Sequence, residues 1–402
     1  MSTEKDADLH KYDYLLIVAL TMLLILGLTM VYSATFALGY QLHQQPTYFF
    51  MRQLLWFGIG LLGLIIAARV EYHTWRKFSV VILGGTILLL VLVLVLGDSR
   101  FGGQRWLLNG SVQPSELAKL AIIIYIADWL SSKGEQIRNV GSGLIPFAIL
   151  IGVITGLILL QRDLGTATLI AVTSLTMFFI AGGSLWQLMV SGILGAGALI
   201  TVILQSPFRL ARWSIFLDPF SDPTGQGYQI RQILIALGVG GVTGLGLGDS
   251  RQKFGYIPAS HTDGIFAILG EELGLIGTIA LILLFALFAW RGFRIAMASP
   301  DAYGTVLASG ITCSIIFQAI INMGVVTATL PFTGIPLPFI SFGGSSLVFS
   351  MAGVGLLLAV SRRTMPDEPP EKESREVDDS RRRNRRARVS GAGRRRRAKA
   401  EA

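Results

Sequence analysis

Three stretches of this 402-residue chain, 14–51, 164–208 and 302–361, contain no Asp, Glu, Lys or Arg. A membrane-spanning helix takes roughly 20 apolar residues, so the two longer stretches each hold two spans. Charged residues make up 15% of the chain, where a soluble protein carries about a quarter. Runs of this length serve no soluble core. The fold class is therefore all-α: a polytopic membrane protein.

Hydropathy divides the chain into about ten transmembrane helices, near 14–34, 51–69, 78–97, 114–131, 141–160, 164–181, 184–204, 264–290, 304–328 and 340–361. One connection is long, the extracytoplasmic loop 206–262. The organisation is an N-terminal tail (1–13), a membrane domain (14–363) and a basic tail (364–402) that reads as disordered. The first apolar segment is long and lacks a small-residue cleavage site, so it reads as a helix and not a cleavable signal. Arg69, Arg76, Lys77, Lys133, Arg138, Arg291 and Arg294 mark the short connections of one side, which the positive-inside rule makes cytoplasmic. With an even number of spans both termini lie there, in a multi-pass protein of the cell membrane. The single cysteine, Cys313, excludes an internal disulfide and a cysteine-based metal site.

The outer loops are not charge-poor. Arg100 and Arg105 stand in one; Arg209, Arg212, Arg231, Arg251 and Lys253 stand in the other. Long loops translocate regardless of charge; the functional reading is an anionic ligand handled at the outer surface. Residues 228–248 combine an amphipathic half with a glycine-rich half. They fit an interfacial helix over a cavity entrance, with a plain surface helix as the alternative.

Four groups could carry chemistry. In 257–277, IPASHTDGIFAILGEELGLIG, a helix starting near Thr262 puts Asp263 in its first turn, as a cap or as a reactive carboxylate. Glu271 is then roughly 12 Å deeper. With Glu272 it sits where an unpaired carboxylate costs about 2.5 kcal/mol or more. In 102–121, Pro114 suits a helix start and places Glu116 and Lys119 at i,i+3 on one face, either a structural ion pair or part of a site. Asp163 of QRDLGTA, 161–167, caps a helix or faces the same mouth. PLPFISFGGSSL, 336–347, supplies hydroxyls and small residues, for chemistry or for close helix packing. All four lie at the outer membrane edge, whereas a transporter's ionisable groups gather near the midplane. No catalytic triad, metal spacing or phosphate loop is present.

The motifs GQRW, QPSELAK, RDLGTA, FLDPFSDPTGQGYQ, SRQKFGYIP, HTDGIFAILGEELG and LPFISFGGSSL stand in the order seen in the SEDS peptidoglycan glycosyltransferases. The chain thus resembles the FtsW/RodA/SpoVE proteins across 14–362, and GEELG leans towards the FtsW branch. The resemblance implies a polymerase of lipid II, the undecaprenyl-pyrophosphate-linked disaccharide-pentapeptide. Its catalytic aspartate matches Asp263. Glu116 and Lys119 would line a polar cavity, with Gln113, Ser115, His261 and Asp163 as further substrate-binding candidates beside Arg105 and Arg212. It implies a class B penicillin-binding protein (a transpeptidase) as partner, with other division or elongation proteins, and a divalent cation, magnesium or manganese, of unassigned ligands. The chain departs from the family pattern at Ser260 (usually Glu), Gly264 (usually aromatic) and Arg162 (usually Pro).

A lipid-linked pyrophosphate donor requires a site at the outer membrane edge, basic for phosphate, with a base for the acceptor hydroxyl. Aspartate near its reference pKa of about 3.9 is a weak base, so Asp263 needs a perturbed environment or a metal. The rival readings are a lipid II flippase and a non-enzymatic division scaffold. The tail is expected to be solvated or to bind anionic lipid. Nucleic acid is not an expected partner, since no aromatics interleave the arginines.

Overall fold

A computed structural model describes residues 12–100, 103–107, 110–218 and 225–364. Thirteen α-helices and one small hairpin stand among them. α1 (Tyr14–His43), α2 (Tyr48–Arg69), α3 (Tyr72–Lys77) and α4 (Ser79–Leu96) lead to the antiparallel strands β1 (Asp98–Arg100) and β2 (Gly103–Trp106). α5 (Pro114–Lys133), α6 (Ile145–Leu160), α7 (Leu164–Ile180) and α8 (Leu185–Leu204) follow. Then come α9 (Pro207–Leu217), α10 (Gln226–Gly240), α11 (Ile265–Met297), α12 (Ala302–Val326) and α13 (Gly344–Ser361).

Each of the ten expected spans is a helix. Eight are long and apolar enough to cross a membrane, α7 is a shorter apolar one, and α5 carries the charges of the QPSELAK motif. Windows of α12 and α13 are 72% buried, against 11% for α2 and α8. The last pair therefore turns most of its surface to lipid, and α12 and α13 form the centre. The described residues up to Arg363 form one compact unit; residues 1–11 and 365–402, including the expected basic tail, lie outside the described residues.

Short polar side chains start four of the thirteen α-helices. Asp13 accepts from Leu16 N (2.9 Å), Asp163 from Thr166 N (3.1 Å), Asp301 from Gly304 N (2.6 Å), and Ser184 with Gln187 closes a capping box on α8. Four ionic contacts stand at one end of the bundle: Arg76–Asp128 (2.7 Å), His73–Asp301 (2.6 Å), Arg363–Glu71 (3.2 Å) and Arg291–Asp13. These are the short basic connections. The arginines of the outer loops stand at the other end.

The structure corrects several boundaries. α11 is not one smooth span from 264. It begins at Ile265, runs to Met297, and breaks at Gly274 (φ 65°, ψ −161°). The glycine-rich half of 228–248 fills that break: Leu275 N and Ile276 N donate to Gly241 O and Val242 O, while Leu245 N and Gly246 N donate to Glu271 O and Glu272 O. Irregular backbone at this depth is thus satisfied by protein. A Cβ on Gly274 would lie 2.3 Å from Gly244 N, so no other residue fits the crossing. The tenth span starts at Gly344 and not at 340; residues 331–343 are irregular. The connection after α4, an outer loop by sequence, contains the hairpin.

Candidate active site at the outer end of the bundle

Asp263 stands one residue before Gly264, the residue that opens α11, and α11 has no side-chain cap. The capping reading of Asp263 is therefore wrong. Its neighbourhood is held by backbone: Phe342 N donates to His261 O (2.9 Å), Ser341 Oγ to Thr262 O (2.7 Å) and Asn322 Nδ2 to Asp263 O (3.0 Å). Three consecutive carbonyls are pinned to α12 and to the segment before α13, which fixes where the carboxylate points. A Cβ on Gly334 (φ 73°) would come within 3.3 Å of Asp263 Oδ2, so the opposite wall is bare backbone.

Burial pushes the Asp263 carboxyl up to about 6; the Thr262 side chain, Arg212 and Arg105 pull it down, and Asp163 pushes it further up. Three of the four outer groups expected from the sequence, through Asp263, Arg105 and Asp163, therefore share one electrostatic neighbourhood with Arg212. Arg212, on α9, donates to Phe332 O (3.3 Å) with its guanidinium over the Phe332 ring. Burial and Arg105 lower its pKa, with Asp263 opposing; a guanidinium stays charged regardless. Arg105, on β2, donates to Gln161 O (3.3 Å) and to Arg162 O, which fastens the hairpin to the α6–α7 turn. Arg162 takes φ 63° there, a conformation closed to the proline usual in the resemblance.

Asp163 caps α7 and also accepts from Thr166 Oγ1 (3.0 Å) and Gln113 Nε2 (3.1 Å). It works as a tie between the α7 start and the QPSE segment. Glu116 and Lys119 form a buried pair at 2.7 Å. Lys119 Nζ also donates to Gln318 Oε1 (2.6 Å), and Gln318 Nε2 to Pro336 O (2.9 Å). The pair and Gln318 line a half-open cavity with Ser314, Phe349 and Ser350. Ser115 is fully buried, its Oγ without a hydrogen-bond partner among the described residues. His261 packs between Phe49 and Phe342, both ring centroids 5.7 Å away. Burial lowers its pKa to about 4, so near neutrality it is an uncharged wall and no phosphate-binding cation.

Gln318 and Asn322 escaped the sequence reading. One α12 face carries both: Gln318 meets Lys119 and Pro336 O, while Asn322 bonds Asp263 O and Ile335 O (2.8 Å). They join the Glu116–Lys119 pair to the Asp263 loop. Their signal was two amides at i,i+4 inside the charge-free stretch 302–361. Arg209, named only as an outer-loop charge, donates to Leu159 O and Val202 O (3.4 and 3.2 Å), behind the same turn that Arg105 holds.

A resident divalent cation does not fit this donor set. Among the described residues no three His, Cys, Asp or Glu side chains gather, and both Asp163 oxygens already accept hydrogen bonds. Magnesium is commonly held by one or two carboxylates together with substrate phosphates; Asp263 offers one carboxylate.

The comparisons with known proteins agree with this arrangement. The FtsW/RodA/SpoVE family model, described as cell cycle protein, matches residues 13–365. Stage V sporulation protein E of Bacillus subtilis is 43% identical, over 90% of this chain and 99% of that protein. The probable peptidoglycan glycosyltransferase FtsW of Trichlorobacter lovleyi is 40% identical, over 89% and 95%. Among solved structures, one described as structural coordination of polymerization and crosslinking by a peptidoglycan synthase complex superposes with a TM-score of 0.72. It is 30% identical and covers 87% of this chain and 98% of that one. The rod shape determining protein RodA of Thermus thermophilus gives 0.66 at 28% identity, covering 89% and 98%. With the motifs in order, the family model over residues 13–365 and the fold matched over 87–89% of the chain, the chain belongs to the FtsW/RodA/SpoVE family.

Proposed function

We propose that this chain is a peptidoglycan glycosyltransferase that polymerises lipid II at the outer face of the membrane, with Asp263 as its general base. The acceptor sugar hydroxyl attacks the anomeric carbon of the donor. The bond from that carbon to the pyrophosphate oxygen breaks, undecaprenyl pyrophosphate leaves with the electron pair, and the hydroxyl proton passes to Asp263. Arg105 and Arg212 receive the developing pyrophosphate charge. The observation that carries this reading is a partly buried carboxylate raised to about 6 beside two arginines, since a base is most effective when its pKa lies near the working pH. The relatives named as glycosyltransferases support the activity.

The working partner is a class B penicillin-binding protein that crosslinks the product, a reading supported by the synthase complex that this fold matches. Both termini are cytoplasmic, as the segregation of basic short connections to one end implies. Any magnesium or manganese requirement is met by a cation that enters with the donor's pyrophosphate. Reconstitution with lipid II and a transpeptidase blocked in crosslinking tests the function. Long uncrosslinked glycan is expected from the wild type, and Asp263→Asn should lower its yield at least about a hundredfold. A folded Asp263→Asn protein with normal yield would remove Asp263 from the chemistry, and no glycan from any preparation would favour a flippase or a scaffold.

A further inference from the structure

Outside the site lies a second set of buried charges. Glu271, Glu272 and Lys253 are each less than a tenth exposed, and the two glutamates lie on α11, a span where charge is costly. Glu271 accepts from Ser250 Oγ (2.5 Å), Arg251 N (2.9 Å) and Gln252 N (3.3 Å). Glu272 Oε1 accepts from Ser33 Oγ (2.6 Å), Lys253 Nζ (3.1 Å) and Ser250 N (3.4 Å). Lys253 Nζ also reaches Gly248 O and Ser33 Oγ. Both glutamates thus seize one short stretch, 250–253. Neither faces the cavity of Glu116 and Lys119.

That stretch leads into the run of turns and bends, 251–264, that carries Asp263 near its end. The far end is pinned through His261, Thr262 and Asp263 carbonyls by Phe342, Ser341 and Asn322. A loop held at one end only would pivot about that end. Two ends held on separate elements leave it one position. The near anchor stands on α11 just before the Gly274 break, where 241–246 also cross, and Ser33 ties it to α1.

We propose that Glu271, Glu272 and Lys253 are positioning residues. They form a buried polar anchor that sets the loop bearing Asp263, and so act on turnover without touching substrate. This rests on Asp263 being the catalytic carboxylate. A misplacement of about 1 Å far from the chemistry can cost about a hundredfold in rate, so a slack anchor should show in kcat.

The test separates positioning from stability. Replacing a buried ion pair by apolar residues of similar volume is often neutral or stabilising, so the double variant Lys253→Met/Glu272→Leu keeps a packed core and removes the Lys253–Glu272 half of the anchor, with its bonds to Ser33, Gly248 and Ser250 N, leaving Glu271 alone to hold 250–252. Polymerisation of lipid II by the full-length protein with its transpeptidase is measured against substrate concentration, and thermal unfolding is followed in the same detergent. The expected result is kcat lower by at least tenfold, KM within about twofold of wild type, and an unfolding midpoint that is kept. Wild-type kcat in the folded double variant overturns the proposal, as does a rise in KM with kcat unchanged. Should the double variant fail to fold, Glu271→Gln decides. It keeps the shape and one acceptor oxygen for three donors, and should lower kcat about fivefold or more at unchanged KM; wild-type kcat there overturns the proposal equally. Asp263→Asn is run alongside. If it remains active, the reading of the site fails, whereas an inactive Asp263→Asn beside fully active anchor variants overturns the anchor alone.

Discussion

Asp263 meets two opposed demands. Burial raises its carboxyl and the arginines that would hold pyrophosphate lower it; the outcome is about 6. A base must be ionised, so kcat/KM should be full above pH 7 and fall as pH drops through about 6. His261, lowered to about 4, is neutral over that range and adds no limb. Arg105→Met removes an influence that lowers the Asp263 pKa, so the acid limb should move to higher pH. Arg105→Lys keeps the charge but loses the bidentate grip on phosphate oxygens; its limb should stay in place while the KM for lipid II rises. A pH profile of polymerisation for the three proteins checks this, and identical limbs in wild type and Arg105→Met would separate Arg105 from Asp263. A carboxyl whose folded pKa is raised favours folding at low pH, and that stability is lost as pH rises from about 4 through about 6. Asp263→Asn carries no such penalty at pH 7.5, so it should unfold no earlier than wild type.

Helix by helix, what the sequence disclosed was whatever lies within one element. Glu116 and Lys119 at i,i+3 on α5 were readable as a pair, and they meet at 2.7 Å. The Gly274 break was not readable. GEELGLIG looks like a continuing helix, and its interruption comes from backbone donors and acceptors of 241–246, some thirty residues upstream. Asn322 and Gln318 were hidden for the same reason: their partners, Lys119, Asp263, Ile335 and Pro336, come from three other parts of the chain. Asp263 itself was legible as a residue at the outer edge, but its place before the helix start, and hence its freedom from capping, was a matter of one or two residues. The α5 pair offers an element-scale test. Glu116→Ala and Lys119→Ala each leave a buried charge whose partner is gone, an arrangement that costs about 3–5 kcal/mol. The double change removes both charges, so its loss in stability and activity should be well below the sum of the two. An additive cycle would mean that the pair is not energetically coupled, and that Lys119 acts through Gln318 alone.

Across the whole molecule, chemistry gathers at one end of the bundle and ordinary ion pairing at the other. The last arginines near the end of α13 belong to the paired end: Arg362 lies over the Tyr12 ring at 5.2 Å and Arg363 meets Glu71. The compact unit closes at Arg363, so these two are part of the membrane domain. Beyond them, 364–402 hold 13 Lys/Arg and 8 Asp/Glu, with the acidic residues mostly first and the arginine runs last. No motif of the polymerase falls there. Deleting 364–402 should therefore leave polymerisation with the transpeptidase in detergent within about twofold of wild type, inside the range of a surface change. The arginine runs should instead act on the anionic inner leaflet, at about 1 kcal/mol per basic residue near the surface. That attraction decays over about 8 Å at physiological salt, so only the runs that reach the headgroups contribute. A peptide of 364–402 should sediment with anionic vesicles at low salt, release as salt rises, and ignore neutral vesicles. Binding that persists at high salt would point to an apolar contact, and lost polymerisation on deletion would place part of the catalytic machinery beyond Arg363.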